Sequence, residues 1–280
     1  MRKFGLILML LAAVAAAVLA PLAEINKPKS PRGINKLLFF PSRYPEGNWA
    51  PEGLIYEDVF FTAEDNTRLH GWFCRAPSPI ATILFAHGNA GHVASRTAFL
   101  RRLQSELKVA VFIFDYRGYG RSSGVPTIEG ALLDARAARS KLRQLARVQD
   151  SDIMLMGESI GGAVAVQLAS ESPTRALILQ STFSSLRDVA NIHYPKQSSI
   201  VPPSQLDSVT QIAQFHGALF QSHGEKDSVV PCELGEKLFG AANDPKEFLM
   251  ISNAGHNDWL TDEYIVKLDE FLTRLTPTSK

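Results

Sequence analysis

The chain has 280 residues, 29 basic and 28 acidic side chains, a formal net charge of +1 and a 45% hydrophobic composition. So balanced a composition supplies core for one large domain or two small ones and gives no electrostatic basis for nucleic acid as a partner. Two cysteines, Cys74 and Cys232, lie outside any metal-like or C-x-x-C spacing, so neither a disulfide framework nor a metal centre is expected.

The first segment is strongly biased. Arg2 and Lys3 precede Phe4 to Ala23, a run without a charge that Glu24 closes. Its length matches the roughly 20 apolar residues a helix needs to cross a bilayer. Residues 1–23 therefore read as a transmembrane anchor, with a cleaved secretory signal as the rival. Cutting after Ala20 or Ala23 would leave Pro21 beside or close to the cleavage point, which favours the anchor. Lys27, Lys29, Arg32 and Lys36 oppose the orientation that Arg2 and Lys3 set. The expected localisation is single-pass in a membrane with the domain outside the cytoplasm, or secreted or periplasmic after cleavage. Residues 24–53, rich in Pro, Gly, Lys and Asn, read as a stalk whose apolar patch Leu37-Leu38-Phe39-Phe40 packs on the domain or on the membrane.

A domain is expected over 54–280. Leu54 to Phe61 and Arg68 to Phe73 predict a hairpin around Glu64-Asp65-Asn66. From Ala81 the pattern alternates. Strands are predicted at Thr82 to Phe85, Val109 to Phe114, Ile153 to Met156, Ala176 to Leu179, Ala218 to Gln221 and Phe248 to Ile251. Between and after them, helices are predicted from Val93 to Leu107, Ile128 to Leu145, Ile160 to Ser170, Glu233 to Ala241 and Trp259 to Leu275. Nearly continuous apolar strands separated by helices indicate an α/β domain with a mostly parallel sheet covered on both faces. Arg136, Arg139, Lys141, Arg143 and Arg147 fall at helical spacing and read as a solvated face. Residues 183–215 stand where a minimal fold would use one crossover helix, and read as a short lid.

In open sheets of this kind, ligands gather beyond the carboxyl ends of the strands. The polar residues of this chain cluster there: His87-Gly88-Asn89-Ala90-Gly91, Asp115 to Gly120, Ser159, His223 to Asp227, and Asn253 to Asp258. Ser159 is the centre of Gly157-Glu158-Ser159-Ile160-Gly161, a G-x-S-x-G turn between an apolar strand and a helix-forming run. Gly120-Arg121-Ser122-Ser123-Gly124 has the same spacing, but Val125-Pro126 follows it and opens no helix, so Ser122 reads as a loop residue. A serine hydroxyl needs a base to become a nucleophile, and the base needs a carboxylate to hold its tautomer. Ser159, Asp227 and His256 occur in the order Ser, acid, His. Asp207 and Glu225 compete for the acid, while Asp115 and Asp258 read as loop-bracing. His70 and His223 read as structural, and His87 as hydrogen-bonded to backbone. Glu158 could line a pocket or accept a backbone bond.

Over roughly residues 54 to 275 the chain resembles the α/β-hydrolases. It is particularly similar to small membrane-anchored members with an HGNAG loop, a DYRGYG loop, a GES-[IL]-G-G elbow and a GHND loop, among them lysophospholipid lipases, protein depalmitoylating thioesterases and serine aminopeptidase-like proteins. The resemblance implies Ser159 as nucleophile, His256 as general base and Asp227 as orienting acid. It implies the backbone N–H groups of Asn89 and Ile160 as an oxyanion hole, with no metal or organic cofactor. The expected activity is hydrolysis of an ester or thioester of a small or lipid-like acyl substrate near a membrane. A serine peptidase and a non-catalytic scaffold of the same fold are the alternatives.

Overall fold

The computed structural model describes residues 33–276. The expected anchor at residues 1–23 lies outside the described residues, among which no helix is long and apolar enough to cross a membrane. Ten strands are named in chain order. The first five are β1 (Phe40–Pro41), β2 (Glu57–Thr62), β3 (Arg68–Cys74), β4 (Ala81–Ala86) and β5 (Ala90–Gly91). The others are β6 (Val109–Asp115), β7 (Ile153–Glu158), β8 (Ala176–Gln180), β9 (Ala218–Gly224) and β10 (Lys246–Ile251). The helices of five or more residues are α1 (Thr97–Ser105), α2 (Ile128–Ala146), α3 (Ile160–Glu171), α4 (Leu186–His193), α5 (Ser208–Ile212), α6 (Cys232–Ala241) and α7 (Asp262–Leu275).

Eight strands form one sheet in the order β10-β9-β8-β7-β4-β6-β3-β2. The pairs from β10 to β6 are parallel; β3 runs antiparallel to both β6 and β2. Every residue of β6 is buried because both faces of the sheet are covered. Val109, Val111 and Ile113 join a core with Phe99, Tyr264 and Phe271, whereas Ala110, Phe112 and Phe114 join a second with Ile128, Val164 and Leu238. A strand with two buried faces reads as an unbroken apolar run, which is how β4, β6, β7 and β8 appear in the sequence.

Helix boundaries follow local caps. Thr127 Oγ1 accepts the Gly130 N–H at 2.9 Å to start α2, and Thr261 Oγ1 accepts that of Tyr264 at 3.1 Å to start α7. The last helix therefore begins at Asp262 rather than Trp259, with Asp262 and Glu263 in the favourable first turn. Residues Val93–Arg96 form a 3₁₀ turn ahead of α1, so the helix predicted from Val93 starts later, and the Val93 N–H goes to Asp115 Oδ1 at 2.9 Å.

Three expectations change. Residues 24–32 of the expected stalk lie outside the described residues, and from Phe39 onward the segment is built into the domain. β1 pairs in parallel with β5, Phe39 is buried edge-on to Tyr119, and Trp49 stacks 4.6 Å from His92. The apolar patch divides: Leu38 and Phe39 pack on the core of the domain, as expected, while Leu37 and Phe40 are exposed. Arg139 leaves the solvated face of α2. It is buried, and it donates to the Asp150 carboxylate and to the carbonyls of Leu168 and Pro173, tying α2 to the end of α3. The segment between β8 and β9 folds into α4, a 3₁₀ turn at Ser198–Ile200, and α5. Its Leu186, Val201, Leu206 and Ile212 enter the core, so the insertion also serves as the crossover.

Candidate active site

The elbow is built by a close approach. A Cβ on Gly157 would run into the carbonyl oxygen of Gly161, and one on Gly161 into that of Ala86. Ser159 between them has φ 55° and ψ −120°, a conformation that L side chains rarely adopt. It is held there by its own backbone: its N–H donates to Gln180 O at 2.9 Å, and its carbonyl accepts from Gly162 N at 2.9 Å and Thr182 Oγ1 at 2.8 Å. The side chain thus projects at the N-terminus of α3.

The structure brings three of the residues singled out from the sequence within hydrogen-bonding distance. Ser159 Oγ lies 3.1 Å from His256 Nε2, and His256 Nδ1 lies 2.7 Å from Asp227 Oδ2. With its proton on Nδ1, His256 donates to the carboxylate and accepts from the hydroxyl. The Asp227 side chain is fully buried and that of His256 is 10% exposed. Asp227 Oδ1 accepts the N–H groups of Val229 and Val230 at 2.9 and 2.8 Å. Burial pushes the Asp227 carboxyl up, but hydrogen bonds from His223, His256 and the Val230 backbone outweigh it and hold the group well below the usual carboxylate range. The competing acids are committed elsewhere: Asp207 caps α5 at Thr210, and Glu225 accepts the Asn253 N–H. Asp258 braces its own loop through Gly255 N, and Asp115 bonds His70 and Val93 N. Ser122 is buried, its hydroxyl donating to Asp115 O and accepting from His70 N.

Asn89 follows β4 and Ile160 opens α3. Among the described residues neither backbone N–H donates to an acceptor. The peptide carrying each is pinned through its carbonyl. Gly88 O, in the peptide of the Asn89 N–H, lies 2.7 Å from His87 Nδ1; Ser159 O, in the peptide of the Ile160 N–H, takes Gly162 and Thr182. The DYRGYG loop adds two ties, Tyr116 Oη to His87 O at 3.0 Å and Tyr119 Oη to Asn89 O at 2.6 Å. His87 is fully buried, and that burial drives its pKa down to about 4, with the Arg96 charge adding to the effect.

Two residues at the site, Arg96 and Thr182, escaped the sequence reading, and His223, read there as structural, touches the acid. His223 Nε2 stands 3.3 Å from Asp227 Oδ2 and 2.8 Å from Val230 O, a second imidazole against the acid. Arg96 grips Glu158 through Nε to Oε2 at 2.8 Å and Nη2 to Oε1 at 3.0 Å, settling the open assignment of Glu158. Thr182, like Arg96, carried no signal in the sequence; His223 did, four residues before Asp227 on the same strand end. Arg96, Glu158, Ala90, Phe99, Asn257 and Trp259 are among the residues lining a cleft of about 400 Å³, in the size range of small-molecule sites. Its wall includes the chain neighbours of Asn89, Ser159 and His256. Among the described residues no group of three His, Cys, Asp or Glu side chains is arranged to hold a metal.

A family model described as "Serine aminopeptidase, S33" matches residues 77–208. The chain is 36% identical over 251 residues to the uncharacterized protein Rv2307c of Mycobacterium tuberculosis, covering 87% of this chain and 88% of that protein. It is 33% identical over 255 residues to the α/β hydrolase domain-containing protein WAV2 of Arabidopsis thaliana, covering 81% and 82%. An esterase from Pyrococcus furiosus superposes with a TM-score of 0.71 at 23% identity, over 85% of this chain and 98% of that one, and so shares its fold. With a mostly parallel sheet flanked by helices, a G-x-S-x-G elbow after β7 and relatives matched over four-fifths of their length, the chain belongs to the α/β-hydrolase superfamily.

Proposed function

We propose that the chain is a serine hydrolase of carboxylic esters or thioesters, working through an acyl-enzyme intermediate. His256 takes the Ser159 proton as the hydroxyl attacks the acyl carbon, and returns it to the leaving alcohol or thiol. Asp227 holds the imidazole tautomer and stabilises the imidazolium. The N–H groups of Asn89 and Ile160 receive the developing oxyanion; one such donor is worth about 2.7–4 kcal/mol in the transition state. A water then repeats the sequence against the acyl-enzyme. The observation that carries the reading is the Ser159–His256–Asp227 relay at 3.1 and 2.7 Å. The cleft beside it, walled in part by Phe99 and Trp259, supports an acyl group of moderate size.

Acyl nitrophenyl esters of graded chain length, with Ser159→Ala as control, test this. The substitution is expected to lower turnover on the order of 10⁶-fold and to abolish fluorophosphonate labelling. Labelling of Ser159→Ala at the wild-type rate would remove Ser159 from the mechanism, and a wild type that never labels would favour the scaffold. The match to a serine aminopeptidase model supports a second reading, peptide hydrolysis; turnover of aminoacyl-naphthylamides with no ester turnover would select it. The same proposal takes residues 1–23 as a membrane anchor that keeps the enzyme beside lipid-like acyl substrates, the domain facing out of the cytoplasm. Recovery of the mature protein beginning after residue 20 or 23, by mass measurement, would replace the anchor with a cleaved signal.

A further inference from the structure

Thr182 lies just beyond β8 and takes no part in the proton relay, yet it is buried with its hydroxyl aimed at the elbow. Oγ1 donates to the Ser159 carbonyl oxygen at 2.8 Å. That carbonyl shares a peptide unit with the Ile160 N–H. Thr182 packs so closely on α3 that a side chain at Gly162 would strike its Cβ and Oγ1. Among the described residues the other donor on that carbonyl is Gly162 N at 2.9 Å, which closes the first turn of the helix.

Two physical consequences follow. A peptide plane gripped at its oxygen cannot rotate, so its N–H keeps one direction. A hydrogen bond to the carbonyl also polarises the whole amide and strengthens its N–H as a donor, the more so where water is excluded. Both effects matter most when negative charge appears opposite that N–H, that is, in the tetrahedral transition state rather than in the bound substrate. We propose that Thr182 is a positioning residue of the hydrolytic site: through the Ser159 carbonyl it aims and polarises the Ile160 N–H as an oxyanion donor. The inference rests on the reading of Ser159 as nucleophile.

The test uses the full chain and the variants Thr182→Val, Thr182→Ser and Ser159→Ala. The readouts are kcat and KM on p-nitrophenyl butyrate, inhibition by an alkyl boronic acid, which forms a tetrahedral adduct on the serine, and the thermal unfolding midpoint. A complete donor loss costs about 10²–10³-fold in kcat, and a misdirected donor less. Thr182→Val is expected to lower kcat about tenfold with KM within about twofold, and to weaken the boronic acid by the same factor as kcat/KM. Thr182→Ser, which keeps the hydroxyl, is expected to restore both. With Ser159→Ala inactive, a wild-type kcat in Thr182→Val overturns the role, as does a kcat loss that leaves boronic acid affinity intact. So does a Thr182→Ser variant as slow as Thr182→Val. Wild-type turnover by Ser159→Ala would instead overturn the reading of the site itself.

Discussion

At the scale of single residues, three histidines stand in three different environments. His256 is partly exposed and faces both Ser159 and Asp227, the placement the proposed base requires. His223 braces the acid from the other side, and among the described residues its buried Nδ1 has no hydrogen-bond partner; a Cβ on Gly235 would meet it. His87 sits under the loop carrying Asn89, ring edges against Tyr116 and Tyr119. Because burial lowers the His87 pKa from 6.5 to about 4, the native protein keeps this ring neutral over a range where the unfolded chain takes a proton. The unfolded state then binds more protons, so stability rises with pH between about 4 and 6.5 and is lost as pH falls through that window. Urea unfolding of wild type and His87→Gln from pH 7 to 4 is expected to show the wild type losing ground by on the order of 3 kcal/mol. A difference that stays flat with pH would contradict it.

The elements meet at the elbow, where β4, β7 and α3 approach so closely that backbone touches backbone. Gly161 is the point of contact, since any Cβ there strikes the carbonyl oxygens of Ala86 and His87. Gly161→Ala must push α3 away from β4 and shift the Ser159–Ile160 peptide with it. Overpacking of this kind costs about 1–3 kcal/mol, and the activity loss is expected to exceed what that destabilisation explains, seen as a fall in kcat at temperatures where the variant is fully folded. A variant with wild-type kcat would show that the first turn of α3 is free to move. The Arg96–Glu158 pair ties the 3₁₀ turn ahead of α1 to the end of β7, and Arg96 reaches Ala90 O as well at 3.4 Å. A buried ion pair adds little net stability, since desolvation offsets the attraction, but its bidentate form fixes direction.

On the scale of the whole molecule, the segment from Phe39 to Trp49 holds the outer side of the same loop. Phe40 N donates to Asn89 O at 2.9 Å, Tyr44 N to Gly120 O at 3.1 Å, and Tyr56 Oη to Trp49 O at 2.6 Å. A chain beginning at residue 54 loses these bonds and uncovers Tyr119 and His92, so its unfolding midpoint and its turnover are both expected to fall below those of a chain beginning at residue 33. Equal midpoints for the two chains would mean that the segment only lies on the surface. Ile192, Tyr194, Ile200 and Val229 are exposed, and α4 meets the acid loop through His193 Nε2 and Val229 O, 2.7 Å apart.

Sequence alone determined what local pattern can carry. Ser159 was separable from Ser122 because one is followed by a helix-forming run and the other by Val125-Pro126. The sheet was legible because its central strands, buried on both faces, are largely apolar, and Asp227 and His256 stood out because each lies in a loop just beyond a strand, in the order Ser, acid, His. Tertiary structure decided what depends on neighbours distant in the chain. Thr182 meets Ser159 only because β7 and β8 pair Glu158 with Gln180. Arg139 is buried rather than solvated because the end of α3 covers it, and Phe39 turns inward because Tyr119 waits there. Periodicity records which face of an element is covered; it does not record by what, because that depends on the packing of other parts of the chain.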